Sequence, residues 1–155
     1  MTTPVTALAR RWALQLDMSA AQDGSDWQSV IGVTEFNPAA EPNIEDSSDF
    51  DSGGWAGNTK TGQSWELGLT INRRINDQTK VYHPTHEALR VASFASGSAS
   101  RVHVRYYDRN GLPEAYEGTA IVTWAPSGGE YTALDQVEVT LTGDGPLLLI
   151  TNPVA

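Results

Sequence analysis

A side-chain alternation of period two recurs along this chain and sets what it can fold into. It is cleanest in Gln63 to Asn72, QSWELGLTIN. There Trp65, Leu67, Leu69 and Ile71 fall on one side, and Glu66, Gly68, Thr70 and Asn72 on the other. Successive side chains of a strand point to opposite faces, so this pattern predicts a strand with one buried and one wet face. The same beat runs through Arg101 to Asp108, with Val102, Val104 and Tyr106 against His103, Arg105 and Tyr107. It returns in Glu114 to Trp124 (Ala120, Val122, Trp124) and in Ala133 to Thr142 (Val137, Val139, Leu141). Arg11 to Asp17 alternates more weakly. Trp27 to Phe36 is rich in β-branched and aromatic residues and reads as one strand. Pro146 to Asn152 is a short final run, and Asn110-Gly111 and Asp144-Gly145 are hairpin turn signals.

The period changes once. Pro84 to Gly97 predicts a helix over about residues 85–96, opened by Pro84 or Thr85, with Glu87 in its first turn and Gly97 able to close it. Leu89, Ala92 and Phe94 are its expected apolar stripe. Seven strands and one helix, mostly in hairpins, predict a mainly β fold. The expected form is an antiparallel β-sandwich or flattened barrel with one flanking α-helix, in a single domain over residues 1–155. A chain of 155 residues buries about 70% of its unfolded surface and needs no staples. It has no cysteine, hence no disulfide framework and no thiol chemistry. No apolar run is long enough for a membrane-spanning helix. In MTTPVTALARRWALQL the arginines follow the short apolar patch instead of preceding it, unlike a secretion signal, and folding in a cytoplasm is expected.

Glu41 to Gly62, EPNIEDSSDFDSGGWAGNTKTG, does not fit the alternation. It reads as a long polar loop between two strands, with Glu41, Glu45, Asp46, Asp49 and Asp51 and no base before Lys60. Phe50 and Trp55 sit in its middle, where a merely solvated loop has little use for them. Loops of this length inside a compact domain are uncommon and usually functional or disordered, and large aromatics argue against disorder. An arm with two aromatic anchors and an acidic rim is explained if something docks onto it.

Charge is segregated in the same sense. The formal net charge is −9; residues 1–59 carry nine acids against Arg10 and Arg11, and residues 110–155 carry six acids and no base. Seven of the ten bases lie between Arg73 and Arg109. Faces of opposite sign suit a self-associating subunit. No basic stripe with interleaved aromatics exists to hold nucleic acid. Leu147 to Ile150 is apolar and would make a poor exposed edge strand, a problem that pairing across subunits would remove.

Chemistry finds little footing. His83 and His86 frame the helix start with Pro84 between them, and His103 sits on a strand, so no third ligand is near in sequence. Asp46, Asp49 and Asp51 lack the spacing and terminal glutamate of a calcium loop. Gly97-Ser98-Ala99-Ser100-Arg101 misses the nucleophile elbow, and Gly53, Gly54 and Gly57 form no phosphate loop. Carboxylates for glycoside hydrolysis are available in any acidic β protein, but nothing singles out a pair. Trp12, Trp65 and Trp124 fall at core positions of strands, Trp27 at core or rim. Trp55, among glycine, alanine and aspartate, is a candidate platform for a glycan or a protein.

The order of these pieces carries a resemblance. W-x-x-V-x-G-V-T-x-F-N-P at Trp27–Pro38 is followed by D-S-S-D-F-D-S-G-G-W at Asp46–Trp55, the strand around Trp65 and the helix HEALRVA. Then come R-V-H-V-R-Y-Y-D-R-N-G at Arg101–Gly111, E-A-Y-E-G-T-A-I-V-T-W, V-E-V-T-L-T-G-D-G and I-T-N-P. This resembles the major tail tube proteins of long-tailed (siphovirus-type) bacteriophages, especially those of actinobacteria, over nearly the whole chain. The resemblance implies a non-enzymatic subunit without cofactors. Six copies form a ring that closes an inner β-barrel, and rings stack into a hollow tube. The 41–62 segment becomes an inter-ring arm with Asp46, Asp49, Phe50, Asp51 and Trp55 as its contacts, and the N- and C-terminal segments touch neighbours. Implied partners are further copies of itself, the tape-measure protein, and the tail terminator and tail-tip (distal tail) proteins. Double-stranded DNA crosses the lumen without specific binding, in a virion tail assembled in the host cytoplasm. An acidic lumen would repel phosphates, and Glu117, Asp135 and Glu138 are its candidate residues. A contractile-tail or secretion tube shares this physics, and the alternative of another class is a carbohydrate-binding β-sandwich with Trp55 as platform.

Overall fold

The structure, a computed structural model, describes residues 3–155. Its strands are β1 (Trp12–Asp17), β2 (Trp27–Ser29), β3 (Val33–Asp46), β4 (Asn58–Asn72), β5 (Ile75–Asn76) and β6 (Val81–Tyr82), then β7 (Arg101–Asp108), β8 (Ala115–Pro126), β9 (Gln136–Gly143) and β10 (Leu148–Leu149). One α-helix, α1 (Pro84–Phe94), lies between β6 and β7. The main sheet is antiparallel, in the order β2-β1-β7-β8-β9-β4-β3, with β10 added to β8; β5 and β6 form a separate ribbon.

β2 and β3 are consecutive in the chain yet lie at opposite ends of that order, with only residues 30–32 between them. The sheet therefore has to roll until its ends meet. The Val30 N–H donates to the Leu14 carbonyl of β1 (2.9 Å), and the Asn72 N–H of β4 donates to the Gly32 carbonyl (2.7 Å). Trp12 and Phe36 stack across the junction with centroids 5.6 Å apart. No ladder joins β2 to β3, so this is one rolled, open, flattened barrel and not two separate sheets. The expected single strand Trp27–Phe36 is thus two. Gly32 separates them at φ +79°, and a Cβ there would stand 2.5 Å from the Asn72 carbonyl oxygen.

The alternating residues fill the interior as expected: Leu67, Leu69, Ile71, Val102, Val104, Ala120, Val122, Val137, Val139 and Leu141 are all buried. At the helix, Nδ1 of His83 accepts from the Thr85 N–H (3.4 Å) as N-cap, and Pro84 opens the first turn. The helix stops at Phe94, short of residue 96, where the Ala95 N–H returns to the Ala92 carbonyl. Its buried stripe is Thr85, His86, Leu89 and Ala92. Phe94 is 80% exposed. Two residues past Ala92 is about 200° around a helix, so Phe94 could not share that face. Of the expected last strand, only Leu148 and Leu149 pair, opposite Glu117 and Tyr116 of β8, and both leucines are exposed.

Candidate assembly surfaces

The segment Glu41 to Gly62, expected to be a loop, is a hairpin. β3 and β4 stay paired from Val33↔Ile71 out to Asp46↔Asn58. Beyond Trp65 this ribbon buries nothing. It is held by its backbone ladder and by cross-strand bonds such as Asn43 Nδ2 to Thr61 Oγ1 (2.7 Å). Pro38 and Pro42 are four residues apart and so lack N–H groups on the same side. β3 is a sheet edge, where that side can be the open one. Polar side chains on both faces erased the alternation that would have betrayed the strands.

The tip, residues 47–57, is built. The Ser47 N–H donates to the Gly57 carbonyl (2.9 Å). Asp49 caps a short turn, Phe50–Ser52, accepting from the Asp51 N–H (2.9 Å) and Ser52 Oγ (3.1 Å), while Ser52 Oγ accepts the Asp49 N–H (2.9 Å). Gly53 ends it in the left-handed region at φ +64°. Phe50 is thereby fully exposed (106%) and Trp55 is 82% exposed. Bonds from the Ser48 side chain and N–H hold the Asp46 carboxyl below its ordinary pKa. Asp46 and Asp49 each accept bonds within this local scaffold, and among the described residues no cluster of three metal-ligating side chains exists.

At the far end of β4 the chemistry changes sign. The Arg73 guanidinium lies over the rings of Tyr82 (3.9 Å) and Trp124 (4.9 Å). The neighbouring Arg74 N–H donates to Nδ1 of His86 (3.3 Å), whose Nε2 lies 2.7 Å from the Ile31 carbonyl. Burial pushes the His86 pKa down, against the Ile31 bond and with help from His83, Arg73 and Arg74. A neutral ring accepting at Nδ1 and donating from Nε2 fits both contacts. His83 faces Thr85 instead, so the two histidines serve different structural tasks.

The three candidate acids separate. Glu117 is on the outward face of β8, paired with Nε2 of His103 (2.8 Å). Glu138 is exposed on the outward face of β9, between Thr70 of β4 and Ala125 of β8 in the register. Asp135 is exposed just before β9, and its carbonyl accepts the Arg73 N–H (2.9 Å). Glu138 and Glu117 are eight residues apart by the β8 register, about 26 Å. The outward face near β1 and β7 is a network the sequence did not reveal. Asp17 Oδ2 faces His103 Nδ1 (3.0 Å), the Trp27 ring packs on His103 (4.8 Å), and Arg105 lies over Trp27 (4.4 Å). Trp27 is thus rim. A second hidden network ties the chain ends to the β7–β8 turn: Arg11 bonds buried Asp108 (2.9 Å) and Glu114 (3.0 Å). Buried Asn152 donates to the carbonyls of Asp108 (2.8 Å) and Leu112 (2.6 Å).

A family model described as phage tail tube protein matches residues 13–148, which spans the rolled sheet, the arm and the helix. This chain belongs to the phage tail tube protein family. Solved structures agree on the fold of this tail tube protein. The tail of an empty gene transfer agent particle, refined helically with C6 symmetry, has a TM-score of 0.70 at 13% identity, covering 94% of this chain and 100% of that one. The virion of a native gene transfer agent particle gives 0.70 at 12%, with the same coverage. The sixfold-symmetrised baseplate of an anti-feeding prophage gives 0.61 at 12%, over 96% and 97% of the two chains. Curated protein sequences offer no significant match.

The L-T-G-D-G stretch of the tail tube protein has a physical reason. Trp65 is buried and donates from Nε1 to the Gly145 carbonyl (3.2 Å). A Cβ on Gly143 would stand 2.3 Å from that Nε1, and one on Gly118 2.7 Å from Cζ2 of the same ring. Two glycines on neighbouring strands make the slot for one indole at the root of the arm.

Proposed function

We propose that this tail tube protein is a non-enzymatic structural subunit whose copies form hexameric rings, and that the rings stack into a hollow, non-contractile phage tail tube. The observation that carries the stacking role is the arm: a hydrogen-bonded hairpin that leaves the barrel and ends in Phe50 and Trp55, both held in solvent. Exposed aromatics on a preorganised turn are the usual anchors of a protein contact. The six-copy ring is carried over from the C6 symmetry of the gene transfer agent tail. The exposed leucines of β10 and the open edge of β3 are backbone edges that neighbours in a ring can cover. Glu138 and Asp135, with Glu117 beside His103, are the proposed lumen acids, which keep transiting double-stranded DNA from sticking. The tape-measure protein in the lumen, the terminator and tail-tip proteins at the two ends, and assembly in the host cytoplasm complete the reading.

Negative-stain electron microscopy of the concentrated protein is the test. Tubes or stacked rings with a central channel are expected, and a chain with residues 47–57 replaced by a two-residue turn is expected to stop at rings. Long tubes from the shortened chain would remove the arm from the stacking role. A glycan-binding monomer that loses its ligand on Trp55→Ala would replace the reading altogether.

A further inference from the structure

The arm and the Arg73 cluster stand at the two ends of one strand. β4 starts at the acidic tip and ends at Asn72, immediately before Arg73. Its 15 residues span about 50 Å at the rise of an extended strand. The tip cannot reach the Arg73 cluster of its own chain, because the paired ribbon holds the two apart. We infer that the Arg73 cluster is the receptor for the arm tip of a second copy of this chain, so that stacking is a head-to-tail contact of acidic, aromatic tip on basic, aromatic base. This rests on the stacking role proposed above and names its other half.

Three observations converge on that receptor. First, Arg73 has no ion-pair partner among the described residues. Its guanidinium is held between Tyr82 and Trp124, its Nε is enclosed without a hydrogen-bond acceptor, and no carboxylate is within ion-pair distance among the described residues. Asp135 comes near only through its backbone, and Glu87, which feels the Arg73 charge without pairing with it, is bonded to Arg90. Lys80 is paired with Asp77 and Arg90 with Glu87, so among the described residues of this pole Arg73 and Arg74 are the cations without an ion pair. Second, apolar surface surrounds them: Ile75, Val81 and Tyr82 of the β5–β6 ribbon are all exposed. Third, the tip offers the complement. Phe50 and Trp55 supply aromatic faces, and Asp51 supplies negative charge beside the locally bonded Asp46 and Asp49, with no base nearer in the chain than Lys60. Unlike charges inside a ring of apolar contact fix orientation as well as affinity. A contact between two different patches of the same chain repeats without end when its rotation does not close a ring, which is what a growing stack needs.

The chain has no cysteine, so introduced thiols report on one contact without background. Full-length protein carrying both Asp51→Cys and Val81→Cys is assembled and then oxidised. A ladder of covalent multimers on a denaturing gel is expected, and each single variant is expected to give none. Tubes of the double variant without a ladder would overturn the docking site. Arg73→Glu is expected to raise the concentration needed for stacking by about ten- to a hundred-fold while rings persist. Adding Asp51→Arg to it, at a side chain that takes no part in closing the turn, is expected to restore stacking. Arg73→Glu that stacks like the natural chain would overturn the proposal, and so would its failure at ring formation, which places Arg73 between neighbours of one ring. The arm-shortened chain separates the two readings. If it does not stack while Arg73→Glu does, the arm holds and docks elsewhere; if it does stack, both readings fall.

Discussion

The two halves of β4 are equally strand and are held in place by different things. From Glu66 to Ile71 the strand pairs on both sides, with β3 and with β9, and every second side chain from Trp65 onward is buried. From Asn58 to Ser64 it pairs on one side only, and all seven residues are exposed. The inner half is fixed by burial, the outer half by a backbone ladder rooted in the barrel. A two-stranded ribbon is marginal alone, so the arm borrows its order from the eight strands behind it. Evolution of the outer half is then free of packing and can answer to whatever the tip touches. That makes two kinds of variant distinguishable: those that act through the fold and those that act only through assembly.

The largest effect belongs to the inner half. Leu67 is fully buried, and Leu67→Ala should cost about 2–5 kcal/mol in urea unfolding, most of a small domain's margin. Gly143→Ala should come next. The added methyl has to displace the Trp65 ring, which is locked by its bond to Gly145, and overpacking of this kind costs about 1–3 kcal/mol. The double variant Gly143→Ala with Trp65→Leu should lose less than the two single costs added together, because the slot is then no longer needed. Strictly additive losses would show that the glycine serves something other than the indole.

What the sequence made legible follows the same division. The alternation at residues 63–72, 101–108, 114–124 and 133–142 located every long core strand, because burial writes a period into the side chains. The outer hairpin reads as a loop in the sequence because backbone pairing writes nothing there: Asn43, Glu45, Thr59 and Thr61 suit strand or loop alike. The break at Gly32 leaves no mark in the sequence because a glycine flanked by Ile31 and Val33 reads as strand, and only the close approach of Asn72 shows why it is there. The tip residues Phe50 and Trp55 stood out because large aromatics in polar surroundings are costly without a use. Arg73, Asp17 and Asp108 did not, since each has a partner tens of residues away in the chain, Trp124, His103 and Arg11 respectively. The resemblance to tail tube proteins supplied the family; the pattern alone supplied a β barrel with an unexplained arm.

A smaller effect tests the outward network and depends on pH. Asp17 is buried, and burial alone would raise its pKa. Bonds from Ser19 Oγ (2.6 Å), the Ser19 N–H (3.0 Å) and the Gly24 N–H (2.6 Å), with His103 beyond, outweigh this and hold it well below the usual carboxylate range. A carboxylate depressed in the folded state adds stability above its unfolded pKa and loses it as pH falls through the folded one. Asp17→Asn should therefore cost about 1–2 kcal/mol at pH 7, and the gap to the natural chain should narrow below about pH 4. A gap that stays constant down to pH 2 would mean the side chain acts through its shape and not its charge.

The smallest effect on folding should come from the residues expected to matter most for assembly. Phe50 and Trp55 touch solvent, and the turn that carries them is closed by Asp49, Ser52 and the Ser47–Gly57 bond without their side chains. Phe50→Ala with Trp55→Ala should change the unfolding free energy by no more than about 0.5 kcal/mol, the usual range for exposed positions. The same variant should fail to stack, as seen by sedimentation of assembled material at a concentration where the natural chain is fully pelleted. The comparison within β4 breaks if the stability loss approaches that of Gly143→Ala. The arm would then belong to the cooperative unit of the barrel, and its aromatics would be folding residues that happen to be exposed. If stability is unchanged and stacking is lost, the outer half of the strand exists to hold two rings of side-chain carbon about 50 Å from the Arg73 cluster of the same subunit, at the distance where only another copy can use them.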